Sequence, residues 1–320
     1  MTTTQRPIRL TSGDAVLASI PTLVGFTPAD SLVIITLAGG RVGMVLRVDL
    51  PAAGEEAYEV AAHAAQVIDQ QGEALAAVVV VIGEDTRADV IGAVTEALVL
   101  VRVGVVQALH TPALTAGMPW QCLCGCGRAG ILDDPAVSVV ALTAAVTTGQ
   151  VSYGSREALA ADLDSRIDPA TAQRRAQLID ALDGEDVEVG AAILTWAAQV
   201  LSGRGEKLDE DVLVGVGAGL LATVRRDELV GWTVENTEPG LMKSAWRQLV
   251  QQLPGQARAY AATLCGLAAL LEGDGATANV ALDLAGQVHP GLTLTELAVQ
   301  VAACGIDPIT LREILRDTAR

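Results

Sequence analysis

Ser31 to Leu37 (SLVIITL) is an unbroken apolar run rich in β-branched residues, and Ala76 to Ile82 (AAVVVVI) repeats the pattern. Apolar runs of this length without polar alternation predict strands buried on both faces. Val42 to Leu50 follows the first run after Gly39-Gly40. Paired glycines supply the positive φ that a tight two-residue turn needs, so 31–50 reads as a β-hairpin. Between Gly54 and Gln71 the period lengthens, with Val60, Ala64, Val67 and Ile68 on one helical face and Gly72 as the stop. Arg87 to about Arg102 reads as a second such helix, and Val105 to His110 as a strand. Upstream, Pro7 to Leu10 reads as a short first strand. Ser12-Gly13-Asp14 reads as the start of a helix that Pro21 interrupts. The order β-α-β-β-α-β-α-β predicts an α/β sandwich over residues 1–130, its sheet mostly parallel apart from the hairpin and covered by helices.

After Pro135 the pattern is helical almost to Arg320, so 131–320 is expected to be an all-α domain, with the boundary near 131–136. Within it, Gly266, Ala278, Ala285 and Pro290 have the spacing of a tetratricopeptide-type hairpin near 259–290: small residues where two helices cross, then a proline stop. One such unit cannot form a solenoid, so a helical bundle or short array is expected. Gly215-Val216-Gly217-Ala218-Gly219 lacks the Gly-Lys-Ser/Thr ending of a phosphate loop and reads as a close helix contact.

The run IPTLVGFTPADSLVIITL, Ile20 to Leu37, resembles the opening of an actinobacterial family known as domain of unknown function 4192. Trp120 to Cys126, Ala144 to Leu159 and Leu271 to Ala285 resemble later segments of that family, in its order. The family carries no assigned activity, so the resemblance implies no catalytic residues.

The chain has 320 residues, 51% hydrophobic and 2% aromatic, with a net charge of −17. That is ample apolar surface for a core built of Ala, Val and Leu. Neither half carries a basic block, which argues against nucleic acid as a partner. No apolar run reaches the ~18 residues that cross a bilayer, and the first residues lack a charged region followed by an apolar core. With five cysteines in no disulfide-like spacing, a cytoplasmic protein with reduced thiols is expected.

Candidate chemistry gathers at three places. Ligands on helix-covered sheets sit beyond the carboxyl ends of strands, which nominates Asp30, Ser31, Asp49, Glu84 and His110 as pocket residues. Cys122-Leu123-Cys124-Gly125-Cys126 offers three thiols for zinc or another soft metal, or for redox chemistry, although one-residue gaps are shorter than the usual zinc spacing and a fourth ligand must come from His110 or elsewhere. Gly125 to Gly130 also matches G-x-G-x-x-G but lacks the strand-to-helix context of a dinucleotide site. Glu272 and Asp274 sit in a loop between two helices, where turn chemistry and capping compete with a ligand-facing role.

With no recognisable catalytic constellation, the leading expectation is a non-enzymatic binding or scaffold protein acting through protein partners or self-association. The alternative is an enzyme or small-molecule sensor with its pocket at the strand ends. A metal- or redox-linked protein built on the three cysteines is the third.

Overall fold

A computed structural model of the chain describes residues 8–72, 74–148, 151–182, 186–202, 208–238 and 240–318. β1 (Ser31–Ala38) and β2 (Arg41–Asp49) form the expected hairpin, with Gly39 and Gly40 both left-handed at φ 56° and 77°. β3 (Ala76–Ile82), β4 (Gly104–Thr111), β5 (Pro119–Cys122) and β6 (Ala129–Ile131) complete a six-stranded sheet in the order β2-β1-β3-β4-β5-β6.

The sheet is not mostly parallel. Only β3 and β4 pair in parallel; β1 is antiparallel to both β2 and β3, and β5 is antiparallel to both β4 and β6. The helical connections α2 (Glu55–Gln71) and α3 (Ala88–Leu100) do keep β2, β3 and β4 running the same way. The hairpin, however, places β1 between β2 and β3, so the parallel neighbours are never adjacent there. The short first strand is also not found: residues 8–10 are not in a strand, and Pro7 lies outside the described residues.

β1 and β3 bury both faces, as their unbroken apolar pattern requires. Leu32, Ile34, Val79 and Val81 pack with Ala57, Ala61, Ala64 and Ile68 of α2 and with Val90, Val94 and Leu98 of α3. The alternate residues Val33, Ile35, Val78 and Val80 pack with Val16, Leu17 and Ile20 of α1 (Gly13–Val24), and with Trp120 and Cys122 of β5. Each fully buried Val, Leu or Ile contributes about 1.5–3 kcal/mol. α1 continues through Pro21 to Gly25, whose left-handed backbone at φ 90° caps it by donating to Pro21 O. The core contact of Leu17 and Ile20 outweighs the lost helical hydrogen bond.

By internal contacts the chain divides into Met1–Arg156 and Glu157–Arg320. The first unit extends past the composition change at 131–136 because a 3-10 turn (Pro135–Val137) and α4 (Val139–Thr148) pack on α1. Tyr153 N and O then bond Gly25 O and Thr27 N, each at 2.9 Å, beside the buried Phe26.

The second unit is helical from α5 (Arg156–Ala161) through α6 (Pro169–Asp180), α7 (Val187–Ser202), α8 (Glu210–Leu221), α9 (Thr223–Glu235), α10 (Leu241–Gln252), α11 (Gly255–Leu271), α12 (Gly275–Val288) and α13 (Thr293–Cys304) to α14 (Pro308–Thr318). In α9 a charged Arg-Arg-Asp-Glu segment precedes the buried Leu229, Thr233 and Val234. α11 and α12 form the small-residue hairpin. A Cβ on Gly266 would stand 2.8 Å from Leu282 Cγ and 3.2 Å from Ala278 O. The glycines of α8 serve close helix approach in the same way: a Cβ on Gly215 would lie 2.3 Å from Ala192 Cβ of α7.

That contact makes a prediction. Gly215→Ala should destabilise the helical unit by about 1–3 kcal/mol through overpacking. Gly231→Ala, in α9 with nothing within 4 Å of the new methyl, should stabilise it by about 0.5–1 kcal/mol through helix propensity. Urea unfolding followed by fluorescence of the Trp196–Trp232–Trp246 cluster reads both.

Candidate functional site

Because β1 runs against its neighbours, its amino end shares one sheet edge with the carboxyl ends of β2, β3 and β4. Asp49, Ser31, Ile82 and Thr111 stand side by side across that edge. All five predicted pocket residues therefore collect there, but the polar side chains whose contacts are defined face one another or the backbone. Arg47 Nε donates to Ser31 Oγ (2.9 Å), its guanidinium pairs with Asp49 (2.7 Å) and lies 5.6 Å from the Phe26 ring centroid. Ser31 Oγ donates in turn to Ala29 O at 2.6 Å. His110, buried, places Nε2 2.9 Å from Gly83 O. Asp30 is exposed and left-handed at φ 42°, and its backbone oxygen accepts from Leu50 N. Glu84 is exposed in the loop after β3.

Glu272 and Asp274 are structural in the same sense. Asp274 Oδ1 caps α12 through Thr277 N, and its other oxygen lies 2.7 Å from Lys243 Nζ. Glu272 binds Lys243 (3.2 Å) and accepts from Gly240 N. Burial works to lower the Lys243 pKa, but Asp274 and Glu272 outweigh it and raise it, so the ammonium stays charged. Glu272 also borders a cleft of ≈ 180 Å³ with Thr233, Asn236, Met242 and Arg312. The Arg312 guanidinium there donates to the Val234 and Asn236 carbonyl oxygens, which finish α9.

The three cysteines behave differently. Only Cys122 lies in a strand; Cys124 and Cys126 occupy the tight loop joining β5 to β6, closed by Cys122 N donating to Arg128 O at 2.8 Å. Gly125 and Gly127 are left-handed there, at φ 81° and 71°, and their turns curl the chain so that all three sulfurs lie within 4.8 Å of one another. Cys122 Sγ and Cys124 Sγ are 2.9 Å apart. Among the described residues this is the cluster of His, Cys, Asp and Glu with ligand atoms placed to share a metal ion. Cys122 is buried at the root of the loop, while Cys124 and Cys126 face solvent.

The local dipoles separate the two exposed thiols. The Arg128 backbone N–H, with the Cys124 and Cys122 thiols, brings the Cys126 pKa down to about 7. Cys124, hydrogen-bonded to Cys122 and Cys126, is pushed up to about 11. His110 is not the fourth ligand. Leu109 pairs with Cys122 and packs in the same core, so His110, paired with Gln121, points to the opposite face of the sheet. The positions that sequence reading did not credit are Gly125, Gly127 and the Arg128 amide. Their signal is the glycine following each of Cys124 and Cys126, which frees the backbone to turn sulfur toward sulfur.

Alkylation of the reduced protein tests the separation. The thiolate is the nucleophile. Cys126 should therefore gain iodoacetamide reactivity with a midpoint near pH 7, and Cys124 only several units higher, as read by peptide mass mapping. Equal pH profiles would contradict the hydrogen-bond pattern.

The chain belongs to the family described as "Domain of unknown function (DUF4192)", which matches residues 14–309. No curated protein and no solved structure matches it.

Proposed function

We propose that this member of the family is a metal-binding protein whose ligand is a soft metal ion held by Cys122, Cys124 and Cys126. One observation carries the reading: three sulfurs on a five-residue segment converge within 4.8 Å, two of them open to solvent. Thiolates are the donors that select soft ions. The loop is anchored on a six-stranded sheet through Trp120 and Cys122, so its geometry is held by the core, as a preorganised site requires. Binding displaces thiol protons, that of Cys124 among them, so affinity rises with pH.

Native mass spectrometry of the reduced, metal-loaded chain is the test. One ion per chain is expected, lost when all three cysteines are changed to Ser while Cys265 and Cys304 remain. An adduct that survives the triple change, or none after loading, would sink the reading.

A second reading, self-association through the helical unit, is favoured by α7. Val187, Ala191, Leu194, Ala198 and Leu201 repeat at alternating four- and three-residue spacing, and all are exposed. That is the seam spacing of paired helices. The stripe is nearly palindromic about Leu194, which suits a two-fold antiparallel pairing with a second copy. A concentration-dependent dimer in sedimentation, abolished by Leu194→Glu without loss of helix content, is the expected result; a wild-type monomer at all concentrations would exclude it.

A further inference from the structure

Taking as its basis the reading that the thiol loop binds metal, we infer that the ion is monovalent copper, held in a three-sulfur trigonal site in preference to zinc. The donor set comes first. Three thiolates with no nitrogen or oxygen ligand atom grouped with them among the described residues are the softest set a protein offers, and thiolate-rich sites suit Cu(I).

Coordination number comes second. For sulfurs no more than 4.8 Å apart, a point exists within about 2.8 Å of all three; a trigonal ion with ~2.3 Å metal–thiolate bonds sets its sulfurs about 4.0 Å apart, so Cys122 and Cys124, now 2.9 Å apart, open by about 1 Å while the longest separations shorten. Such an ion sits in or near the plane of its three ligands. Structural zinc instead closes a tetrahedron with a fourth protein ligand. The nearest histidine in sequence, His110, is turned to the other face of the sheet and engaged with Gly83 O. Zinc here would keep a solvent ligand.

Position comes third. Cys122 is buried against the sheet while Cys124 and Cys126 are exposed at the tip of the loop. An ion can therefore enter from solvent onto the two outer sulfurs and be completed by the inner one.

The experiment uses the full reduced chain under anaerobic conditions, with cuprous ion and zinc chloride as separate probes. X-ray absorption reads the coordination shell, and competition with a cuprous chelator or a zinc indicator reads affinity. The expected result is one copper per chain with three sulfur neighbours in a single shell, and zinc surrendered to its indicator at pH 7. Cys124→Ser, at an exposed position that leaves the fold intact, should weaken cuprous binding by more than roughly a hundredfold, since even outer-shell losses cost 10–100-fold. Zinc retained against the indicator with four protein ligands, or copper bound by two sulfurs only, would overturn the copper assignment and leave metal binding standing. Neither ion bound above the triple-serine variant would overturn both.

Discussion

Burial of β1 and β3 on both faces is the constraint from which the first unit follows. Neither strand has a polar face to give to solvent, so helices must cover both sides: α2 and α3 on one, α1 on the other. The α1 side needs more apolar surface than one helix supplies, and β5 provides it with Trp120 and Cys122. The Trp120 ring lies so close over Gly13 and Gly130 that a Cβ at either would fall within 3 Å of it. The thiol loop is thus tied at its root to the packing of the central strands.

That attachment separates the cysteine cluster from the other polar groups. At the shared strand edge, the antiparallel β1 brings Ser31 among Asp49, Ile82 and Thr111, but Arg47 pairs with Asp49 and donates to Ser31, and His110 sits on a backbone carbonyl. These contacts finish strand ends. In the helical unit, Asp274 and Glu272 are engaged by a cap, a backbone amide and Lys243. The thiols, by contrast, contact chiefly one another and the Cys126 and Arg128 amides, and all three sulfurs lie within 4.8 Å of one another.

Much of this was legible from pattern. The double-sided strands, the Gly-Gly hairpin, α2, α3 and the close-packed glycines of α8 and α11 each rest on a local rule, and each is present. Strand direction was not legible, because an unbroken apolar run reports burial on two faces and says nothing of which neighbour it meets. β5 (PWQC) and β6 (AGI) are too short to show a period; β5 forms on the edge of β4, and β6 on that of β5. α9 opens on charged residues and shows its buried face late. Pro21 reads locally as a stop, yet the packing of Leu17 and Ile20 carries α1 past it. For the cysteines, the spacing named the residues but not their convergence, which depends on the left-handed backbone at Gly125 and Gly127.

The most direct test of the account is anomalous diffraction from crystals of the copper-loaded chain, collected at the metal edge. One strong anomalous peak is expected within bonding distance of the Cys122, Cys124 and Cys126 sulfurs, with the β5–β6 loop otherwise unchanged. A peak at any other place in the chain, or a loop whose sulfurs are turned apart with no metal between them, would contradict it.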